Sequence, residues 1–323
     1  MKKKIYTLAL GAILLVGCSQ EEHLAIGEEV KMTFTVNLSN GVQSRAEDET
    51  LLANKMVVGI YEKTYKDGNE EYNLAQKGEP GDITSNNPEF KITLIKGTTY
   101  KVVFWAYNQE DQQNAPYDFT DLKAIKFNKD ASNYEAFTAV SEDIIGGQND
   151  QKEITLKRPV AQVRIGTSKE DWDAAEALKR KPTSTTVSLS ECPDSYNALT
   201  GQASENTTTL NFNKFEFTDP IKVFTVNNVD YYNFGTYYTF ESITQTEENG
   251  ESKETGSKIT CTLKVNNKIE DNEEEFFTET YSDVEVKPNY RTNIIGRLMT
   301  GTTTYNVTLS NGFEQPDSNK EIE

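Results

Sequence analysis

The chain has 323 residues, 51 of them acidic against 33 basic, for a formal net charge of -18. A surface this acidic repels phosphate backbones, which argues against nucleic acid as a partner. The one histidine is His23, so the folded body has no base for a Ser-His-Asp or Cys-His site and no histidine-rich zinc site, and the few cysteines cannot make a four-cysteine one.

The N-terminus reads as a basic start, Met1 to Lys4, an apolar run from Ile5 to Val16, and the tetrapeptide Leu15-Val16-Gly17-Cys18. This is the pattern of a bacterial lipoprotein signal peptide, residues 1–17, with a lipobox ending on Cys18. The apolar run is too short for a stable membrane span. Acylation, palmitate included, would hold the mature chain on a membrane at about 0.8 kcal/mol per buried CH₂. Residues 18–29 are polar and acidic and suit a tether; Glu21-Glu22 reads either as an export tag to the outer leaflet or as plain solvated linker. No later stretch is apolar enough to span a bilayer, and about 300 residues after processing suit two domains.

In Lys31 to Ser39 the apolar residues Met32, Phe34, Val36 and Leu38 alternate with polar ones, which predicts a strand with one buried face. A polar loop, Asn40 to Thr50, follows with Arg45 as its single basic residue. Strands are expected at Met56 to Tyr61, Glu89 to Ile95, Tyr100 to Tyr107 and Glu153 to Lys157, and continuous Val102-Val103-Phe104-Trp105 predicts a strand covered on both faces. Asp67 to Glu71 reads as a hairpin turn rather than a calcium loop, because it lacks the closing glutamate. These residues, 30–157, make one β-sandwich.

A second sandwich, 158–311, opens with a strand from Val160 to Ile165. One helix is expected over Glu170 to Lys179, with Ser168 and Asp171 spaced as a capping box and Trp172, Ala175 and Leu178 on one stripe. Strands then recur at Thr185 to Leu189, Leu210 to Phe217, Lys222 to Val226, Tyr237 to Ile243, Lys258 to Val265, Thr280 to Val286, Arg291 to Met299 and Thr303 to Leu309. In the last of these, Tyr305, Val307 and Leu309, with Phe313 beyond, form a one-faced apolar row. Residues 312–323 are a polar tail. Cys192 and Cys261 either pair as a disulfide or stand as buried core cysteines. Paired carboxylates could hydrolyse a glycosidic bond, yet no pair stands out. Trp105 and Trp172 suit sandwich cores better than a sugar-stacking platform.

Four segments carry a resemblance: Gly97-Thr98-Thr99-Tyr100 running into Phe104-Trp105-Ala106-Tyr107; Thr155 through Arg158-Pro159-Val160-Ala161-Gln162-Val163-Arg164-Ile165; Tyr196-Asn197-Ala198-Leu199-Thr200-Gly201; and Asn289-Tyr290-Arg291-Thr292-Asn293-Ile294-Ile295-Gly296-Arg297-Leu298. In this order they resemble the signature runs of fimbrillin-like lipoproteins, the Bacteroidetes superfamily that includes type V pilus subunits. The resemblance implies two tandem transthyretin-like β-sandwiches with one short helix in the second. It implies no catalysis, no cofactor and no metal, and a place on the outer membrane, surface-exposed or in a fimbrium. It further implies cleavage at Arg45-Ala46, loss of the strand bearing Met32, Phe34, Val36 and Leu38, and refilling of the groove by a strand from another subunit. Tyr305, Val307, Leu309 and Phe313 are the candidate donor row, with the alternative that they simply close the second domain. The expected partners are the membrane through its lipid, other fimbrillin-like subunits, and a host or glycan ligand. The competing reading is a stationary glycan-binding surface lipoprotein.

Overall fold

The structure, a computed structural model, describes residues 27–38, 53–85, 87–109, 115–128, 134–148, 150–242, 244–248, 251–269, 272–300 and 304–310, and the short strands Tyr6–Thr7 and Lys320–Glu321. It is mainly β, with one helix among the described residues. The main elements are β1 (Glu29–Asn37), β2 (Lys55–Lys66), β3 (Asn69–Lys77), β4 (Glu89–Ile95), β5 (Thr99–Tyr107), β6 (Ala136–Val140), β7 (Gln151–Thr155) and β8 (Val160–Ser168). They continue with α1 (Lys169–Ala177), β9 (Pro182–Pro193), β10 (Thr207–Asn211), β11 (Lys222–Val226), β12 (Val229–Phe240), β13 (Ser257–Ile269), β14 (Asn272–Val286), β15 (Arg291–Arg297) and β16 (Thr304–Ser310).

The first half folds as two facing sheets. One has the order β4-β1-β7, with β1 antiparallel to β4 and parallel to β7. Tyr6–Thr7 adds in parallel beside Phe90 and Lys91 of β4. The other has the order β6-β5-β2-β3. Side chains at alternate positions of β1, β2, β4 and β5 meet between them, with Phe34, Ile60, Ile92 and Phe104 at the centre. At the β2–β3 hairpin, Asp67 and Gly68 both have positive φ, 51° and 81°, the backbone that a two-residue hairpin needs to match strand twist. Asp67 and Gly68 thus form the hairpin turn, and Asn69 to Glu71 already belong to β3.

The second half repeats the plan with sheets of order β16-β15-β8-β12-β11 and β10-β9-β13-β14, and Lys320–Glu321 pairs with β11 at its outer edge. Val163, Leu189, Phe234, Leu263 and Val286 fill the space between. Ser168 caps α1 by accepting a hydrogen bond from the Asp171 amide at 3.3 Å. Trp172 and Ala175 face the core as expected, but Leu178 is 61% exposed. The helix stops at Ala177, so Leu178 leaves the stripe as the C-cap and Lys179 turns away at φ 60°.

A third apolar cluster joins the halves. The outer face of β5, carrying Val103, Trp105 and Tyr107, packs with Tyr196, Tyr238 and Phe240 of the second half. The inner face, Val102, Phe104 and Ala106, belongs to the first core. This is why the β5 sequence is continuously apolar: both of its faces are covered. Among the described residues no helix is long and apolar enough to cross a membrane.

Candidate functional site

Strand β1 occupies the middle of its sheet. Phe34 and Val36 are fully buried and Met32 and Leu38 are 3% exposed. Met32 lies opposite Ile92 on one side and Val36 opposite Ile154 on the other, and the Phe34 ring sits 5.2 Å from that of Phe104. Strict alternation in this segment places every apolar side chain on the core face, so register and burial are set together. Without β1, β4 and β7 would stand about 9 to 10 Å apart, two strand spacings. The exposed groove would forfeit the burial of four side chains, on the order of 6 to 12 kcal/mol. Arg45 and Ala46 fall just beyond β1, outside the described residues, as do Cys18 and Phe313.

Strand β16 differs from β1 in its burial. Among the described residues it pairs with β15 alone, Val307 opposite Ile294 and Leu309 opposite Thr292. Its apolar row stays open: Tyr305 and Val307 are 40% exposed and Leu309 37%. Tyr305 touches buried Tyr281 edge-on at 4.7 Å, and the Tyr281 hydroxyl has no hydrogen-bond partner among the described residues. The approach of β16 depends on Gly296, at φ 147°, where a Cβ would meet the Thr304 carbonyl at 2.2 Å.

The signature segments converge on the seam between the halves. Strands β8 and β15 run parallel with Gln162 opposite Arg291 and Arg164 opposite Asn293. Arg291 Nε donates to Gln162 Oε1 at 2.5 Å, Gln162 Nε2 to the Tyr238 hydroxyl at 2.8 Å, and Arg164 Nε to Asn293 Oδ1 at 3.1 Å. Arg158 Nε bonds Glu135 of the first half at 2.9 Å, Nη1 bonds Asn289 at 3.3 Å, and the guanidinium lies 4.8 Å from the centre of the Phe137 ring. Buried cations are tolerated only when paired in this way. The Tyr196 segment closes the same seam: Tyr196 packs 5.9 Å from Trp105 and 5.7 Å from Phe240, and Asn197 Oδ1 accepts from the amides of Leu199 and Thr200 to form the turn. Of these polar contacts, that of Arg158 with Glu135 crosses between the halves, and those among Gln162, Arg164, Tyr238, Arg291 and Asn293 brace the second sandwich beside the seam.

Both tryptophans are buried, Trp105 fully and Trp172 to 3% exposure, so neither offers a ring to a sugar. Cys192 and Cys261 are buried free thiols on adjacent strands β9 and β13. Burial pushes each up to about 12, which makes them poor nucleophiles. Glu241, 1% exposed just after β12, has no partner in hydrogen-bond geometry for either oxygen among the described residues. Burial pushes its carboxyl up to about 8, with the nearby Ser257 and Thr239 hydroxyls offsetting part of the effect. No group of three or more metal-ligating side chains occurs among the described residues.

Sequence reasoning missed Asp171 as more than a capping residue. Its carboxylate, fully buried, accepts from the amides of Leu298, Met299 and Thr300 at 2.8, 2.8 and 2.9 Å and from Thr167 Oγ1 at 2.7 Å. Nothing in the helix pattern signals partners so far along the chain.

No curated protein matches the chain. Among solved structures it is similar to a candidate adhesin from Bacteroides ovatus, at 14% identity and TM-score 0.44, covering 83% of this chain and 88% of that one. It is similar to a fimbrial assembly protein from Parabacteroides distasonis, at 14% identity and TM-score 0.37, covering 91% and 99%. A third likeness is to candidate polysaccharide binding proteins from Bacteroides thetaiotaomicron, at 10% identity and TM-score 0.45, covering 87% and 98%. The model of a family of unknown function, DUF6562, matches residues 23–323, and the chain belongs to that family.

Proposed function

We propose that this protein is a non-catalytic cell-surface lipoprotein of fimbrillin-like type, acting as a structural or adhesive subunit that joins its neighbours by donor-strand exchange. Cys18 carries the lipid that brings the precursor to the outer membrane. Cleavage at Arg45-Ala46 then frees β1, and a strand from another copy enters the groove between β4 and β7.

The observation that carries this reading is the contrast between the two terminal strands. The row on β1 is buried completely in a central position, whereas the row on β16 is more than a third exposed at a sheet edge. A strand whose removal uncovers a groove, and another that leaves its apolar row in solvent, are the two halves of a β-augmentation contact. An incoming strand that takes the orientation of β1 runs antiparallel to β4 and parallel to β7, with its apolar residues at every second position.

The stationary glycan-binding alternative rests on surface location and aromatic content; burial of Trp105 and Trp172 removes the two tryptophans from any sugar-stacking platform. The test of the polymer reading is to treat the purified protein with an arginine-specific protease. A new N-terminus at Ala46 and ladders that resist mild denaturation are expected; a cut chain that stays monomeric at high concentration would overturn it.

A further inference from the structure

The buried Asp171 carboxylate has a place in the mechanics of the C-terminal strand. It gathers three successive amides, Leu298, Met299 and Thr300, and the Thr300 hydroxyl at 2.5 Å, all from the segment that leads out of β15 toward β16. Thr167 Oγ1 donates to the same carboxylate and also reaches the Gly296 carbonyl at 3.2 Å. Consecutive amides converging on an anion are strong because each bond is charge-assisted and shielded from water. Leu298 itself is fully buried in the second core.

Strand β16 is held more loosely than this segment. Residues 304–310 are held by the β15 ladder on one side, the Tyr305–Tyr281 contact, and side chains that remain largely in solvent. Peeling β16 away would also let water reach the unpartnered Tyr281 hydroxyl, which lowers the cost of departure. Peeling further back would break all four bonds from residues 298–300 to Asp171 and pull Leu298 out of the core.

We propose that Asp171 is the stop for this release: a positioning residue that pins residues 298–300 to α1, so that detachment of the C-terminal strand begins after Thr300 and goes no further back. With the short Lys320–Glu321 pairing to β11 also released, residues 301–323 would reach roughly 75 Å when extended at about 3.3 Å per residue, long enough to lie across a neighbouring sandwich. The purpose of the stop rests on the strand-donor reading above, but its existence does not.

Residue-resolved amide hydrogen exchange on the full chain tests it. The Leu298, Met299 and Thr300 amides are expected to exchange at least about tenfold more slowly than the ladder amides of β16, which open locally. In Asp171→Asn an amide nitrogen faces backbone donors, and protection at 298–300 should fall to the level of β16 while β8 and β13 hold theirs. Thr300→Val, which keeps the amide bond to Asp171 but loses the hydroxyl's bonds to Asp171 and Arg297, should lose protection at 298–300 severalfold and serves if the first variant does not fold. Equal exchange of 298–300 and β16 in the wild type, unchanged protection in Thr300→Val, or a uniform loss across the second sandwich in Asp171→Asn would overturn the proposal. A cut chain that never exchanges strands would instead remove the donor reading and leave the exchange contrast standing.

Discussion

Phe34 and Glu241 are buried alike and have opposite energetics. Phe34 fills the centre of the first core against Phe104. Phe34→Ala should cost the uncut chain about 3 to 5 kcal/mol, the usual range for emptying such a site, read from its denaturant midpoint. Glu241 penalises the fold whenever it is charged. Its carboxyl is raised from 4.5 to about 8 in the folded state, so the folded chain holds a proton that the unfolded chain gives up. Stability is therefore undiminished below pH 4.5, falls as pH rises through 8, and is flat beyond, by an amount on the order of 5 kcal/mol. Glu241→Gln should match wild type near pH 4, exceed it in unfolding free energy at pH 9, and flatten the slope between. Neither a buried Glu241 nor the loop partners of Asp171 is written in local sequence, because both depend on which distant segments the fold stacks above them. The alternation that buries Phe34 is local, and was readable for that reason.

At the scale of elements, strands with one solvated face announced themselves by period two: β1 and β4 appear within two residues of where the pattern puts them. Among the main strands those that escaped notice are β3 and β6, and with them the short hairpin of Thr244–Glu248 and Glu251–Thr255. In β3, Asn69–Lys77, most residues are exposed because it lies at a sheet edge, so no apolar row marks it. In β6, Ala136–Val140, the five residues are too few to display a period. The one-faced row of β16 was legible too, but its exposure was not, since exposure depends on what lies against it. If β1 is a detachable strand, a chain beginning at Ala46 should bind a synthetic peptide spanning Gly27 to Leu38. Its melting temperature should rise with peptide concentration as mass action requires. A peptide with Phe34→Asp should have no such effect; equal shifts from both peptides would place binding outside the groove.

Across the whole molecule, the two halves are joined by an aromatic cluster and by Glu135 of the first half, which meets Arg158 and the Tyr238 hydroxyl of the second. The segments that carry the family resemblance are rich in Arg, Asn and Gln inside a β-rich body because these side chains satisfy one another within the second sandwich, as Gln162 and Arg291 do, while Arg158 reaches across the seam. Glu135→Ala leaves Arg158 buried with its carboxylate gone, which should cost about 3 to 5 kcal/mol in chemical denaturation. Loss of the seam should also split the unfolding into separate steps for the two halves. A rigid seam suits a subunit that must pass force from a groove in one half to a strand in the other. Whether the groove is ever opened is decided at the N-terminus of the protein as it stands on cells. N-terminal sequencing of the surface-recovered protein should find Ala46 as its first residue, with Cys18 and β1 gone; a population that begins uniformly at lipidated Cys18 would contradict assembly by strand exchange.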